Sequence, residues 1–469
     1  MPAHQHRHTR GEPGIPRCLD CGAGSVSNAI DSGALVNYLS SASGPLHGEI
    51  RVPGDKSVSH RAIMLASLAE GRSQISGFLE GEDTLATAAA FAAMGVRIET
   101  PSASERIVHG VGLHGLRAPS HTIDCGNAGT GMRLLTGLLA GQKFSSTLSG
   151  DASLSKRPMR RVIEPLSQMG ACITSETGGL PPLQIDGGAN LIGIDYRLPV
   201  ASAQVKSAIL LAGLYAQGET IVHEPHPTRD YTERMLAALG WPIEFSAGYA
   251  RITGGHRLRA GAIRVPTDFS SAAFFLVAAT LVPGSDLLLR EVGMNPRRTG
   301  LLAALRLMGA DIVEENPREL GGESVADLRV RSAPLHGIDV PIALVPDMID
   351  EFPILFVAAA AAKGRSVIRG AAELRIKESD RIAVMAKGLR ELGITIEETP
   401  DGAIIEGGIL RGGAVDAIGD HRCAMSFAVA GLIASDVVQV RDCANVATSF
   451  PGFVNLANRC GFVLQLESA

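Results

Sequence analysis

Seven short segments of the 469-residue chain concentrate side chains that can hold anions or carry protons. In residues 52–61 (VPGDKSVSHR), Pro53-Gly54 forces a turn and Lys56-Ser57 then opens a helix. Lys56 and Arg61 do not share a helical face, but a loop position for Lys56 lets both reach one cleft. In residues 124–133 (DCGNAGTGMR), glycines around Asn127 let the backbone approach a ligand closely. Residues 150–159 (GDASLSKRPM) put Lys156 and Arg157 before Pro158, a residue suited to a first helical turn. In residues 202–207 (SAQVKS), Ser202 and Lys206 share a face, and Arg229-Asp230-Tyr231 follows at the start of a surface helix. Residues 347–353 (DMIDEFP) lead a cluster of acids into an apolar run, where Asp350 reads equally as a helix cap. Residues 374–381 (LRIKESDR) alternate in sign, as a solvated face does, and residues 419–422 (GDHR) precede another apolar run. Taken singly, each segment is structural more often than functional.

Two interleaved repeats must position these segments. One is an amphipathic helix that stops at Met94-Gly95, Met169-Gly170, Leu239-Gly240, Met308-Gly309, Leu392-Gly393 and Cys460-Gly461, at spacings of 68 to 84 residues. Each Gly stands where a helix needs a left-handed C-terminal cap, and short β-rich runs such as 96–99 and 394–397 follow. The other is a small-residue helix, polar at its start and then apolar all round, as buried helices are. Its copies begin near Ser57, Thr130, Ser202, Ser270, Asp350 and Arg422. Six units of about 70 residues suit two globular domains of three units each; a solenoid is the alternative. Buried helices ending at one face would direct unpaired N–H groups at an anion, and Lys56, Arg61, Arg133, Lys206 and Arg422 cluster at those ends.

Composition narrows the class. The formal charge of −5 fits neither a nucleic-acid polycation nor an acidic tail. Aromatic residues are 4%, too few for base-stacking or sugar-stacking grooves. The longest apolar run, near 352–362, stops at Lys363, well short of the ~20 residues a membrane span needs. Seven dispersed cysteines indicate a reducing compartment, hence a cytoplasmic protein. Residues 1–42 read as a disordered tail. Its Cys18/Cys21 pair near His4, His6 and His8 lacks a second pair at structural zinc spacing and reads as linker.

In their order and spacing, PGDKSVSHRA, GNAGTGMR, LSKRPM, SAQVKS, MIDEFP, LRIKESDR and GDHR resemble the EPSP synthase family from about residue 45 to the end. The resemblance implies an α/β (α+β) fold of two domains, each of three βαβαββ-like units, with buried helices pointing at an interdomain cleft. It divides the chain into domain I (43–54 plus 267–469) and domain II (55–266), crossing near 54–56 and 264–268. It implies transfer of the enolpyruvyl group of phosphoenolpyruvate (PEP) to the 5-hydroxyl of shikimate 3-phosphate by a monomer, without cofactor or metal, and without nucleic-acid or membrane partners. Carried over, Lys56, Ser57, Arg61, Ser202, Ala203, Gln204, Arg229, Asp350 and Lys377 hold shikimate 3-phosphate. Lys56, Gly129, Arg157, Gln204, Arg381 and Arg422 hold PEP. Asp350 accepts the hydroxyl proton, Glu378 moves the proton at the PEP methylene carbon, and Lys56 joins them as a catalytic residue.

Three features resemble the branch that includes glyphosate-tolerant members: Leu134 after Arg133, Ala203 before Gln204, and Thr448-Ser449-Phe450-Pro451 where the other branch has a Lys. The tolerant members have Ala where Gly129 stands, so Gly129 implies an inhibitor-sensitive enzyme. A related family acting on UDP-N-acetylglucosamine carries a loop Cys before its PEP-clamping Arg; residues 151–157 contain none. A catalytically dead anion-binding module is the non-enzyme alternative.

Overall fold

The computed structural model describes residues 36–468. Buried and surface helices alternate along the chain: α1 (Lys56–Leu68), α2 (Glu82–Ala93), α3 (Gly129–Ala140), α4 (Arg160–Gln168), α5 (Ala203–Gly213), α6 (Tyr231–Ala238), α7 (Phe269–Leu281), α8 (Gly300–Leu307), α9 (Phe352–Ala361), α10 (Arg381–Glu391), α11 (His421–Gly431) and α12 (Phe453–Arg459). The even-numbered helices end at the six expected glycines, whose φ lies between 83° and 115°, a region that favours residues without a Cβ. The odd-numbered helices are buried almost throughout; in α9 nine residues from Phe352 to Ala360 are covered. Small residues let them pack closely. A Cβ on Gly137 of α3 would stand 2.1 Å from the Ala208 carbonyl oxygen of α5.

Six small sheets cover these helices, one per unit. Each contains an antiparallel three-strand core, such as Arg97–Ser102 beside Glu105–Val111 beside Ala69–Ser76. The buried apolar side chains gather in two cores rather than one continuous stack. One runs from Val58 to Val265, and the other joins residues 36–52 to 269–464. The two connecting segments run side by side: Asp55 N–H donates to the Pro266 carbonyl at 2.8 Å, and Asp268 N–H to that of Pro53 at 2.9 Å.

The tail boundary read from the sequence is corrected at its end. Val36–Ser41 is a strand, antiparallel to both Val438–Arg441 and Val463–Ser468. It lacks the polar–apolar alternation of a half-exposed strand, since Val36, Asn37 and Tyr38 are covered in succession. The Cys18/Cys21 pair and its histidines lie outside the described residues. Among the described residues no helix is long and apolar enough to cross a membrane.

Candidate active site

Five of the six buried helices bring their N-terminal ends to one cavity of about 420 Å³ between the two cores. Aspartates already cap three of the six starts. Asp55 accepts from Val58 N–H at 2.8 Å, Asp268 from Ser270 N–H at 3.1 Å, and Asp420 from Arg422 N–H at 2.9 Å. The free positive charge in the cleft therefore comes mainly from side chains. Asp350, in contrast, caps nothing: α9 begins after Glu351, and the Asp350 carboxylate accepts from guanidinium groups instead.

The two walls differ. From the residue 58–265 side come Lys56, Ser57, Arg61, Arg133, Arg157, Arg161, Ser202, Ala203, Gln204 and Arg229, with no carboxylate among the lining residues. From the other side come Asp350, Glu373 and Glu378, together with Arg298, Lys377, His421 and Arg422. So twelve of the fourteen residues expected from the sequence line one cavity. Gly129 and Arg381 stand just behind its surface. A Cβ on Gly129 would meet Arg133 Nη1 at 3.1 Å and Arg157 Nη1 at 3.2 Å. Arg381, only 1% exposed, donates to Asp420 at 2.8 Å and Glu378 at 2.7 Å and lies 3.6 Å from Asp350.

Most of these groups are fixed by neighbours. Lys56, the first residue of α1, pairs with the buried Asp83. Arg61 is locked by Thr232 Oγ1 at 2.7 Å, Ser207 Oγ at 2.9 Å and the Ser57 carbonyl at 2.9 Å. Asn127 Oδ1 and Ser153 Oγ accept from Arg157 at 2.7 and 2.9 Å, which gives the Gly-rich turn a positioning role. Gln204 accepts from Arg133 at 2.8 Å and donates to Thr130 at 2.8 Å. Pro158 lies before α4 rather than in its first turn, because the chain makes a separate short turn at Leu154–Lys156.

Charge crowding shows in the ionisation of the site. Burial and the nearby Arg161 and Arg157 push the Arg133 guanidinium down to about 9. Burial and Lys56 push His421 down to about 3, so it is neutral. Burial works against ionisation of Asp350, but Arg422, Arg229, Lys377 and Arg298 outweigh it and hold the carboxyl well below its ordinary range. Burial likewise opposes the Glu378 charge, and the Arg381 and Arg157 guanidinium groups overcome it. Among the cavity-lining residues two ion pairs join the walls, Arg229 to Asp350 at 3.3 Å and Arg157 to Glu378 at 3.7 Å.

Lys206 is a finding the sequence did not predict. Its ammonium points away from the cavity into a buried pair of acids, Glu224 and Glu233, each at 2.8 Å. Glu224 also binds Thr228, the residue before Arg229, so this cluster supports the loop that carries Arg229. Arg298 was missed altogether. Its partners Asp268 and Asp350 lie 30 and 52 residues away, beyond any local pattern.

The sequence profile of EPSP synthase (3-phosphoshikimate 1-carboxyvinyltransferase) matches residues 41–456. A 3-phosphoshikimate 1-carboxyvinyltransferase of Xanthomonas campestris pv. campestris (strain B100) is 67% identical over 434 residues, 92% of this chain and 99% of the relative. Its counterpart in Xanthomonas euvesicatoria pv. vesicatoria (strain 85-10) is 69% identical over 420 residues, 90% of this chain and 96% of the relative. The solved EPSP synthase of Acinetobacter baumannii superposes with a TM-score of 0.85 at 51% identity, covering 92% of this chain and all of that one. The chain belongs to the EPSP synthase (3-phosphoshikimate 1-carboxyvinyltransferase) family, with the two-domain enolpyruvyl transferase fold.

Proposed function

We infer that the protein transfers the enolpyruvyl group of PEP to the 5-hydroxyl of shikimate 3-phosphate and releases inorganic phosphate. The observation that carries this reading is the asymmetry of the cleft: one wall only cationic, the other holding Asp350 and Glu378 among cations. Two substrates that together bear two phosphates and two carboxylates suit such a site, since charge-assisted hydrogen bonds to arginine are the strongest available. Arg61, Ser57, Ser202, Ala203, Arg229 and Lys377 take shikimate 3-phosphate. Arg157, Arg381 and Arg422 clamp PEP beside Gly129, and Lys56 and Gln204 reach both.

In the first step the 5-hydroxyl oxygen bonds to C2 of PEP, Asp350 takes the hydroxyl proton, and Glu378 delivers a proton to C3. The tetrahedral ketal so formed is held by the surrounding cations. In the second step Glu378 removes a proton from the C3 methyl, the C2–C3 double bond returns, the C2–O bond to phosphate breaks, and the departing phosphate carries away the proton that Asp350 took. Both carboxylates are ionised before substrates arrive. Substrate anions engage the same arginines, which weakens their hold on the carboxylates and restores basicity. Glu378, a quarter exposed to the cavity, takes its first proton from solvent in that state.

We place the enzyme in the shikimate pathway, leading to chorismate and the aromatic amino acids. It acts as a cytoplasmic monomer: one chain supplies the whole cavity, and Cys125, Cys172, Cys423, Cys443 and Cys460 are all free thiols. The test is phosphate release. PEP plus shikimate 3-phosphate should release phosphate at a rate set by enzyme concentration, and neither substrate alone should. No release at high enzyme concentration would favour an anion-binding module, and release with UDP-N-acetylglucosamine in place of shikimate 3-phosphate would favour the related family.

Gly129 makes glyphosate an inhibitor of this enzyme. An added methyl would press on the Arg133 and Arg157 guanidinium groups, 3.1 and 3.2 Å away. Overpacking of ~1–3 kcal/mol should raise the glyphosate inhibition constant of Gly129→Ala about tenfold or more. KM for PEP, whose chain between phosphorus and carboxylate is one atom shorter, should rise less. An unchanged inhibition constant would contradict this placement.

A further inference from the structure

Charged groups surround Asp350 on every side: Arg229 ahead of α6, Arg298 ahead of α8, the adjacent Glu351, Glu373 and Lys377 ahead of α10, Arg381 in α10 and Arg422 in α11. In the reading above, which this inference rests on, Arg229, Lys377, Arg381 and Arg422 turn to substrate anions. Arg298 is held differently. Its side chain is 5% exposed. Nη1 donates to Asp350 Oδ2 at 3.2 Å, while Nη2 donates to Asp268 Oδ1 at 3.1 Å and Ser270 Oγ at 2.6 Å. Asp268 caps α7 at the second crossing between the cores, and Ser270 is bound in turn by Glu351. These partners anchor Arg298 from behind, where no substrate can displace them.

We propose that Arg298 is a positioning residue for the transfer, the permanent counter-ion of Asp350. It fixes Oδ2 and leaves Oδ1, which faces Arg381 at 3.6 Å, as the oxygen that receives the hydroxyl proton. It also keeps the carboxylate ionised when the other cations are drawn to the substrates. Each close cation lowers a carboxyl pKa by about 1–3. Loss of the permanent one therefore raises the pH below which Asp350 is protonated and inactive.

The test is the pH dependence of kcat for wild type, Arg298→Gln and Arg298→Lys, with circular dichroism to confirm folding. In Arg298→Gln the acid limb should move up by about one pH unit or more. In Arg298→Lys, which keeps the charge but not the two-pronged hold, the acid limb should stay within about half a unit while kcat falls about tenfold. A purely structural role would lower activity without moving the limb, and an unmoved limb in folded Arg298→Gln overturns the proposal. If Arg298→Gln does not fold, Arg298→Lys decides: a fall in kcat with KM for shikimate 3-phosphate within about threefold supports it, and kcat within twofold of wild type overturns it. Asp350→Asn separates this from the underlying reading. If Asp350→Asn keeps full activity, the assignment of the base is wrong. If Asp350→Asn is impaired and adding Arg298→Gln lowers kcat further by the full single-variant factor, Arg298 does not act through Asp350.

Discussion

Glu378→Gln should lower kcat about 10³-fold, within the ~10²–10⁴ that a positioned proton carrier contributes. Substrate binding should survive, because the amide keeps the shape of a group held by Arg381 at 2.7 Å and approached by Arg157 at 3.7 Å. The carboxylate is placed for both protonation and deprotonation at one carbon. It is ionised at rest, a quarter exposed to the cavity, and flanked by cations that an incoming anion can recruit. The sharpest readout is exchange. With both substrates in deuterated water, wild type should wash deuterium into the PEP methylene, and the variant should not. Exchange at the wild-type rate would assign the proton at C3 to another group.

Arg381→Met should abolish turnover and destabilise the fold by about 3–5 kcal/mol, the usual result of removing one partner from a buried ion cluster. Arg381 holds Asp420, which is fully buried and caps α11, as well as Glu378. Burial opposes the Asp420 charge, and Arg381 holds its carboxyl below the ordinary range. A carboxyl depressed in the folded state stabilises above its unfolded pKa, ~3.9, and that contribution is lost as pH falls through the folded value. The stability gap between wild type and Arg381→Met should thus be widest near neutral pH and narrow below about pH 4. Urea unfolding at pH 7 and about pH 3 measures it; a gap that widens in acid would contradict this account of Asp420.

The fold was legible where local chemistry recurs. Gly at the helix ends and polar starts before apolar runs repeat six times, and the structure places six surface helices and six buried helices accordingly. The site was legible where a residue sits at such a start, as Lys56, Ser57, Ser202 and Arg422 do. It was not legible where position depends on distant partners. Lys206 shares a helical face with Ser202, yet two acids from later elements draw it into the core. Arg298 belongs to no polar helix start and gains its place only when Asp268 and Asp350 converge. Val36–Ser41 resembles a tail because its strand partners lie some 400 residues on, as the Ser40–Ala428 hydrogen bond across a separation of 388 illustrates.

A structure of Glu378→Gln crystallised with both substrates tests the central assignment most directly, since the cleft should fill without turning over. Density for PEP should lie among Lys56, Arg157, Arg381 and Arg422, with the shikimate 3-phosphate ring between it and Ser202, and its 5-hydroxyl within hydrogen-bonding reach of Asp350. Density for both substrates outside the cleft, or a shikimate hydroxyl turned away from Asp350 with no other base beside it, would contradict the account.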